Sequence, residues 1–273
     1  MTPKDELLLR VDASREVGIG HVMRCLALAQ GWMDAGGTAC FLHAESLPAI
    51  DERLHSEGME TATARAQPGS DEDARMTAEL VRQRDAACVV LDGYRFGAGY
   101  QEIVKSTGRR LLVLDDYGHA GQYAADLVLN QNLSANPDLY RRRARNTRLL
   151  LGTRYVLLQS AFRKARPPFR EPASTARRVL VTLGGVDPHN VTLKVLKALG
   201  QSPLAEVEVR AVVSGGNPHA QTLEAFAAAS NERVRLERNP PNLAALMEWA
   251  EVAVAASGTT TWELLYMGVP SIL

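Results

Sequence analysis

The chain has 273 residues, with 31 basic and 31 acidic side chains and no formal net charge. That length accommodates two domains of ordinary size, and the neutral balance removes any global field that would draw the protein to nucleic acid or an anionic membrane, so the expected partner is small. No apolar run approaches the roughly 20 residues that span a bilayer, and the polar N-terminus holds no signal-peptide hydrophobic region. Cys25, Cys40 and Cys88 are widely spaced and read as reduced thiols, which together with the rest predicts a soluble cytoplasmic protein. No Cys-x-x-Cys or His-Glu-x-x-His spacing supports a zinc site, and no metal or cofactor is expected.

The first apolar run, residues 7–11, stops at Asp12 and is followed by a loop of small residues. An amphipathic pattern then begins at His21, with Val22, Leu26, Ala29 and Met33 on one face, so the order is strand, loop, helix. Gly18 and Gly20 remove Cβ atoms that would hold a ligand off the loop backbone, and the new helix end offers unpaired N–H groups with partial positive charge, which favours an anion such as phosphate. His21 opens the helix and Arg24 follows one turn later, so both can face the same mouth. An imidazole there can exchange a proton near neutral pH, although a lone histidine at a helix start also serves as an ordinary cap or surface residue. The dinucleotide fingerprint is excluded because Met23 stands where its third glycine belongs, and no Gly-x-x-x-x-Gly-Lys-Ser/Thr occurs.

Gly36-Gly37 stop this helix, residues 39–42 form a second strand, and His43 is expected in the loop just beyond it. Residues 66–73 read as a loop and 73–84 as a helix. Two further continuous apolar strands, residues 88–91 and 111–114, end in Asp92-Gly93-Tyr94 and Asp115-Asp116-Tyr117. Such strands separated by helices imply a parallel sheet covered on both faces, with ligands at the strands' C-terminal ends. Asp12, Asp92 and the Asp115-Asp116 pair therefore share one rim, where carboxylates act as acid and base, as metal ligands or as caps. The arginine cluster from 141 to 148 reads as a solvated helix face.

Prolines 167, 168 and 172 with a small polar run mark a linker over residues 165–178, between an N-terminal domain (1–164) and a C-terminal one (179–273). A new strand, 179–183, runs into a second glycine-rich turn containing Gly185, with a helix at 191–199. Strands at 207–213, 233–236 and 252–255 follow. In the last loop, Ser257-Gly258-Thr259-Thr260-Thr261 opens a helix, where backbone N–H groups and hydroxyls can surround a diphosphate. Glu263 lies about one turn in, and its carboxylate can accept both hydroxyls of a ribose. The same pattern also fits a plain Ser/Thr cap with a solvent-facing Glu.

Several of these stretches carry a resemblance. Arg10-Val-Asp12-Ala-Ser14 with Gly18-Ile-Gly20-His21-Val-Met-Arg24-Cys25-Leu26 resembles the opening signature of the UDP-2,4-diacetamido-2,4,6-trideoxy-β-L-altropyranose hydrolases of pseudaminic acid biosynthesis. The likeness extends to Leu91-Asp92-x-Tyr94, to Asp115-Asp116, to the run from Asp126 through Asn130-Gln131-Asn132, and to Gly152-Thr-Arg-Tyr155-Val-Leu-Leu158 with Phe162. It continues without a gap from Glu237 to Glu263 and ends in Tyr266-Met-Gly268-Val-Pro270, a segment shared with the peptidoglycan N-acetylglucosaminyltransferase. The resemblance implies a GT-B-like α/β fold of two Rossmann-like domains facing a cleft. It implies His21 as the catalytic base, Tyr94 at the sugar, backbone near Arg238 and Asn239 at the uracil, Gly258, Thr259 and Thr260 at the diphosphate, and Glu263 at the ribose. Asp12, Gly18, Gly20, Arg24 and Gly185 complete the expected substrate-binding set, and Asp115-Asp116 is expected to be supporting structure.

The implied activity is metal-independent hydrolysis of a UDP-linked diacetamido-trideoxy sugar, with inversion at the anomeric carbon. The alternatives are a glycosyltransferase of the same fold and a binding module without catalysis. Because the chain stops at Ser271-Ile272-Leu273 in mid-strand, whereas the resembling proteins continue, the C-terminal domain is expected to be incomplete.

Overall fold

The computed structural model describes residues 5–14, 16–165, 171, 173–184, 187–201 and 207–273. The chain divides into two compact units, Met1–Gln159 and Ser160–Leu273. Among the described residues the first unit comprises β1 (Glu6–Val11), α1 (Gly20–Asp34), β2 (Thr38–His43), α2 (Pro48–Ser56), β3 (Glu60–Thr63), α3 (Asp71–Gln83), β4 (Cys88–Asp92), α4 (Ala98–Lys105), β5 (Arg110–Leu114), β6 (Leu127–Asn130) and β7 (Arg148–Leu151). The second comprises α5 (Ser160–Ala165), β8 (Arg178–Thr182), α6 (Val191–Gly200), β9 (Glu208–Val213), α7 (Ala220–Ala228), β10 (Val234–Arg238), α8 (Leu243–Trp249), β11 (Val252–Ala255), α9 (Thr259–Tyr266) and β12 (Ser271–Ile272).

The first sheet runs β3-β2-β1-β4-β5-β6-β7 and the second β10-β9-β8-β11-β12, with every pairing parallel. The continuous apolar character of β1 follows from burial on both faces. Leu7, Leu9 and Val11 pack with Val22, Cys25, Leu26 and Ala29 of α1, while Leu8 packs with Ala74 and Val81 of α3 on the opposite face. The second sheet repeats the design with Val179, Val181, Val209 and Ala211 in its own core. In each unit the strand order reverses direction beside the first strand, between β1 and β4 and between β8 and β11. Loops leaving such neighbours diverge above and below the sheet, which opens a crevice at their C-terminal ends.

Some elements differ from the sequence expectation. His43 is the last residue of β2 rather than a loop residue, and it is buried, with Nδ1 2.6 Å from the Val11 carbonyl. The cluster from 141 to 148 is not a helix face: a 3-10 turn, Pro137–Tyr140, leads into bends, Arg143 pairs with Tyr123 in an isolated bridge, and Arg148 starts β7. Of the expected linker, residues 166–170 and 172 lie outside the described residues, while α5 at its leading edge packs on α8. No helix among the described residues is long and apolar enough to cross a membrane.

Candidate active site

The crevice beside β1 and β4 holds a pocket of about 80 Å³ lined by Asp12, Val17, His21, Asp92, Gly93, Tyr94, Arg95 and Phe96. Its floor is set by the turn between β1 and α1. Gly18 donates to the Ser14 carbonyl at 2.9 Å and takes φ +79°, a left-handed conformation that glycine adopts without strain. Gly20 begins α1, and a Cβ there would meet nothing within 4 Å, so the space above the helix end is open. The helix starts from Ile19 with no side-chain cap and no acidic residue in its first turn. Its leading amides therefore keep their positive end directed at the crevice.

His21 is nearly buried and joins a closed set of polar contacts. Its Nδ1 lies 2.7 Å from Asp92 Oδ1 at the end of β4. Arg24, one turn further along α1, grips the same carboxylate through Nε to Oδ2 and Nη2 to Oδ1, both at 2.6 Å, and the Cys25 thiol adds a contact to Oδ2 at 3.4 Å. Burial alone would push the Asp92 carboxyl up, but Arg24 and His21 outweigh it and hold the group down at about 2. An ionised carboxylate only accepts, so His21 Nδ1 must carry the hydrogen and donate it. Nε2 is left as the nitrogen for proton exchange, and Asp92 fixes the ring's orientation.

Arg24 also binds Asp116 through Nη1 at 2.7 Å. Asp116 in turn accepts from the Tyr94 hydroxyl at 2.8 Å and from Asn132 Nδ2 at 2.9 Å. The Tyr94 ring stands edge-on to His21, with centroids 4.9 Å apart. Tyr94 is half-exposed, and burial together with the bond to Asp116 raises its hydroxyl well above the ordinary tyrosine range, so it remains a neutral donor. The chain His21, Asp92, Arg24, Asp116, Tyr94 thus closes on itself beside the pocket.

Asp12 lines this pocket, and one of its oxygens is committed to the scaffold. Oδ1 accepts from Arg10 Nη1 at 2.6 Å and from the amides of Ala44 and Glu45 at 2.8 and 3.0 Å, tying the end of β1 to the loop after β2. Of the expected residues in this unit, Asp12, Gly18, Gly20, His21, Arg24 and Tyr94 converge on one rim. The sequence placed Asp92 on that rim without a role, and its signal is the spacing Asp92-x-Tyr94 at the end of an apolar strand.

In the second unit the two glycine-rich turns are unequal. At the start of α6 the amides of Val191 and Thr192 are taken by Asp187 Oδ1 and Oδ2 at 2.8 and 2.9 Å, so the chain's own carboxylate occupies that anion site. That helix end is therefore filled internally, and Gly185, expected to bind substrate, lies outside the described residues. At the start of α9 the N-cap is Gly258, which has no side chain to offer, and the first turn has no acidic residue. Gly258 and Thr261 close on each other, amide to hydroxyl at 3.3 Å and amide to carbonyl at 3.1 Å. A Cβ on Gly258 would meet nothing within 4 Å. Thr259 and Thr260 are partly exposed at this end, and Glu263 is buried one turn in.

Asn239, just past β10, takes φ +41° and accepts from the Gly215 amide through Oδ1 at 3.0 Å, which ties the loops after β9 and β10 together. Three strand spacings separate the end of β10 from that of β11, about 14 Å along one sheet edge. Among the described residues no group of three or more His, Cys, Asp or Glu is placed to hold a metal ion.

No family model matches the chain. It is 23% identical over 263 residues to the UDP-2,4-diacetamido-2,4,6-trideoxy-β-L-altropyranose hydrolase of Campylobacter jejuni, covering 95% of this chain and 88% of that protein. It is 31% identical over 137 residues to the spore coat polysaccharide biosynthesis protein SpsG of Bacillus subtilis, covering 47% of this chain and 38% of that one. Against an uncharacterized protein of Methanocaldococcus jannaschii the identity is 20% over 276 residues, and the chain spans about half of that relative's length, 55%. Among solved structures it superposes on MurG of Acinetobacter baumannii with TM-score 0.55 and 14% identity, covering 95% of this chain and 73% of that one. The Anabaena protein HepE, solved in complex with UDP and glucose, matches with TM-score 0.56 and 15% identity over 98% and 80% of the two chains. The chain is a distant relative of the altropyranose hydrolase, and its two parallel-sheet units have the fold of GT-B glycosyltransferases such as MurG.

Proposed function

We propose that the protein hydrolyses a UDP-linked sugar, with the first unit supplying the base and the second holding the nucleotide. The observation that carries this reading is the His21–Asp92 pair: an ionised carboxylate 2.7 Å from Nδ1 leaves Nε2 as a base on a pocket large enough for water. Water attacks the anomeric carbon as Nε2 takes its proton, a new C–O bond forms, and the bond to the diphosphate oxygen breaks with its electron pair leaving on UDP. Attack from the face opposite the leaving group inverts that carbon. The Tyr94 hydroxyl and the α1 amides orient the sugar and the water.

The growing charge on UDP meets the start of α9, where Gly258, Thr259 and Thr260 present amides and hydroxyls, and this step needs no metal ion. Glu263 accepts the ribose hydroxyls, and the Asn239 turn receives the base at the far end of the sheet edge. The activity of the Campylobacter jejuni relative supports a UDP-2,4-diacetamido-2,4,6-trideoxy-β-L-altropyranose substrate, and the resemblance of the opening signature supports a place in pseudaminic acid biosynthesis.

A second reading is favoured by the fold neighbours, which are glycosyltransferases; in it His21 Nε2 takes the proton of an acceptor hydroxyl. A panel of UDP-sugars incubated with the full chain and no acceptor separates the two. Stoichiometric release of UDP and free sugar is expected; release that appears only when an acceptor is added assigns the protein to transfer.

A further inference from the structure

We infer that Tyr117 is a specificity-determining residue which, paired with Tyr94, forms a platform for the apolar C–H face of the substrate's pyranose ring; this rests on the nucleotide-sugar reading above. Tyr117 is 56% exposed, and its ring lies 5.1 Å from that of Tyr94, tilted by 45°. With Tyr94 edge-on to His21, the three rings form a row leading from the candidate base out to solvent. Scattered single apolar residues on a surface need no explanation, but two adjoining exposed aromatic faces beside a small pocket lined by His21, Asp12 and Asp92 have the composition of a ligand subsite.

The loop that presents Tyr117 is heavily secured. Asp115 Oδ1 accepts from the Tyr117 and Gly118 amides at 2.7 and 2.6 Å and from the Tyr140 hydroxyl at 3.1 Å, while Oδ2 accepts from the Tyr123 hydroxyl and lies 2.6 Å from His119 Nδ1. Gly118 takes φ +82°, and a Cβ there would come within 2.9 Å of the Leu139 carbonyl, so glycine is the residue that lets the loop pack this closely. All these buried contacts fix a turn whose outward side chain is an exposed ring. A tyrosine held in this way offers contact area at little cost in conformational entropy. Its ring suits the C–H face of a sugar, and its hydroxyl can meet a ring substituent.

The test uses the full chain and binding without turnover, with UDP and UDP-N-acetylglucosamine as probes, read by calorimetry and by saturation-transfer NMR on the pyranose protons. Tyr117→Ala is expected to weaken UDP-N-acetylglucosamine about tenfold and to leave UDP affinity within about twofold, while Tyr117→Phe, which keeps the ring, binds both like the wild type. Equal affinity of wild type and Tyr117→Ala for the sugar nucleotide overturns the assignment, as does an equal loss for both probes, which marks a structural role. Absence of saturation transfer to the pyranose in the wild type also overturns it. Binding with these preferences but no release of UDP leaves the platform standing and removes only hydrolysis.

Discussion

His21 and Asp92 are 71 positions apart in sequence and meet with Nδ1 2.7 Å from Oδ1, one at the start of α1 and the other at the end of β4. The topology makes the meeting possible, because β1 and β4 are neighbours and both elements open on the same crevice. Arg24 makes it durable. By filling the remaining lone pairs of Asp92, the guanidinium keeps the carboxylate charged inside the protein, and the charged carboxylate dictates which nitrogen of His21 bears hydrogen.

Replacing His21 by Ala is expected to lower the rate of UDP release by about two to four orders of magnitude, the range that a positioned base contributes. UDP affinity should change little, since the proposed nucleotide contacts are in the second unit. Single-turnover kinetics and calorimetry check the two halves separately. A variant that turns over within a few-fold of the wild type removes the imidazole from the mechanism.

Acid should destabilise the first unit through the same pair. Asp92 titrates near 2 in the folded protein against an ordinary 3.8, so its stabilising contribution is fully present above about pH 4 and is lost as pH falls toward 2. The fall from 3.8 to about 2 is worth about 2–3 kcal/mol. Asp116, held low against its burial by Arg24, adds a contribution of the same sign. Denaturant unfolding at a series of pH values should show stability declining through this window, with a shallower decline in Asp92→Asn. An unchanged slope in that variant would mean that other carboxylates control the acid transition.

How much of this was legible in the sequence follows the strength of the local signals. The runs at residues 88–91 and 111–114, and 7–11 but for the buried Arg10, are apolar because both faces of the sheet are covered, and they located the sheet and the rim above it. β3 has the sequence Glu-Thr-Ala-Thr at the sheet edge, with too little burial to leave a pattern. The site was partly visible. His21 and Arg24 one turn apart and Tyr94 beyond a strand end pointed to one mouth, but pairing Asp92 with His21 required knowing that β1 and β4 are adjacent. The self-capping of α6 by Asp187 was hidden for a different reason, since a left-handed turn at Asp187 and Asn190 has no distinct spacing.

Arg10 provides a test of the scaffold beneath the site. It lies on β1 with its side chain fully buried, bonded to both oxygens of Asp73 at 2.9 Å and stacked over Phe96 at 5.0 Å. Arg10→Met should cost about 3–5 kcal/mol, because it strands the buried Asp73 carboxylate and removes the guanidinium from Asp12. Arg10→Met with Asp73→Leu should recover part of that loss, since no unpaired charge remains between α3 and β1. Denaturant titration gives both values; a single variant as stable as the wild type would mean that water reaches Asp73.

The contrast between the two helix starts of the second unit gives a paired prediction. Glu263→Gln keeps the size of a buried side chain one turn into α9 and removes the charge that the ribose hydroxyls would share, so UDP affinity should fall about tenfold, near the 1.4 kcal/mol expected for a hydrogen bond to a charged group. Asp187→Asn weakens the cap on the Val191 and Thr192 amides and should cost about 1 kcal/mol of stability while leaving UDP affinity unchanged, because that carboxylate already fills its own helix end. Calorimetry with UDP and thermal unfolding on both variants read the two effects apart. If Asp187→Asn weakens UDP and Glu263→Gln does not, the nucleotide sits over α6 and the assignment to α9 is reversed.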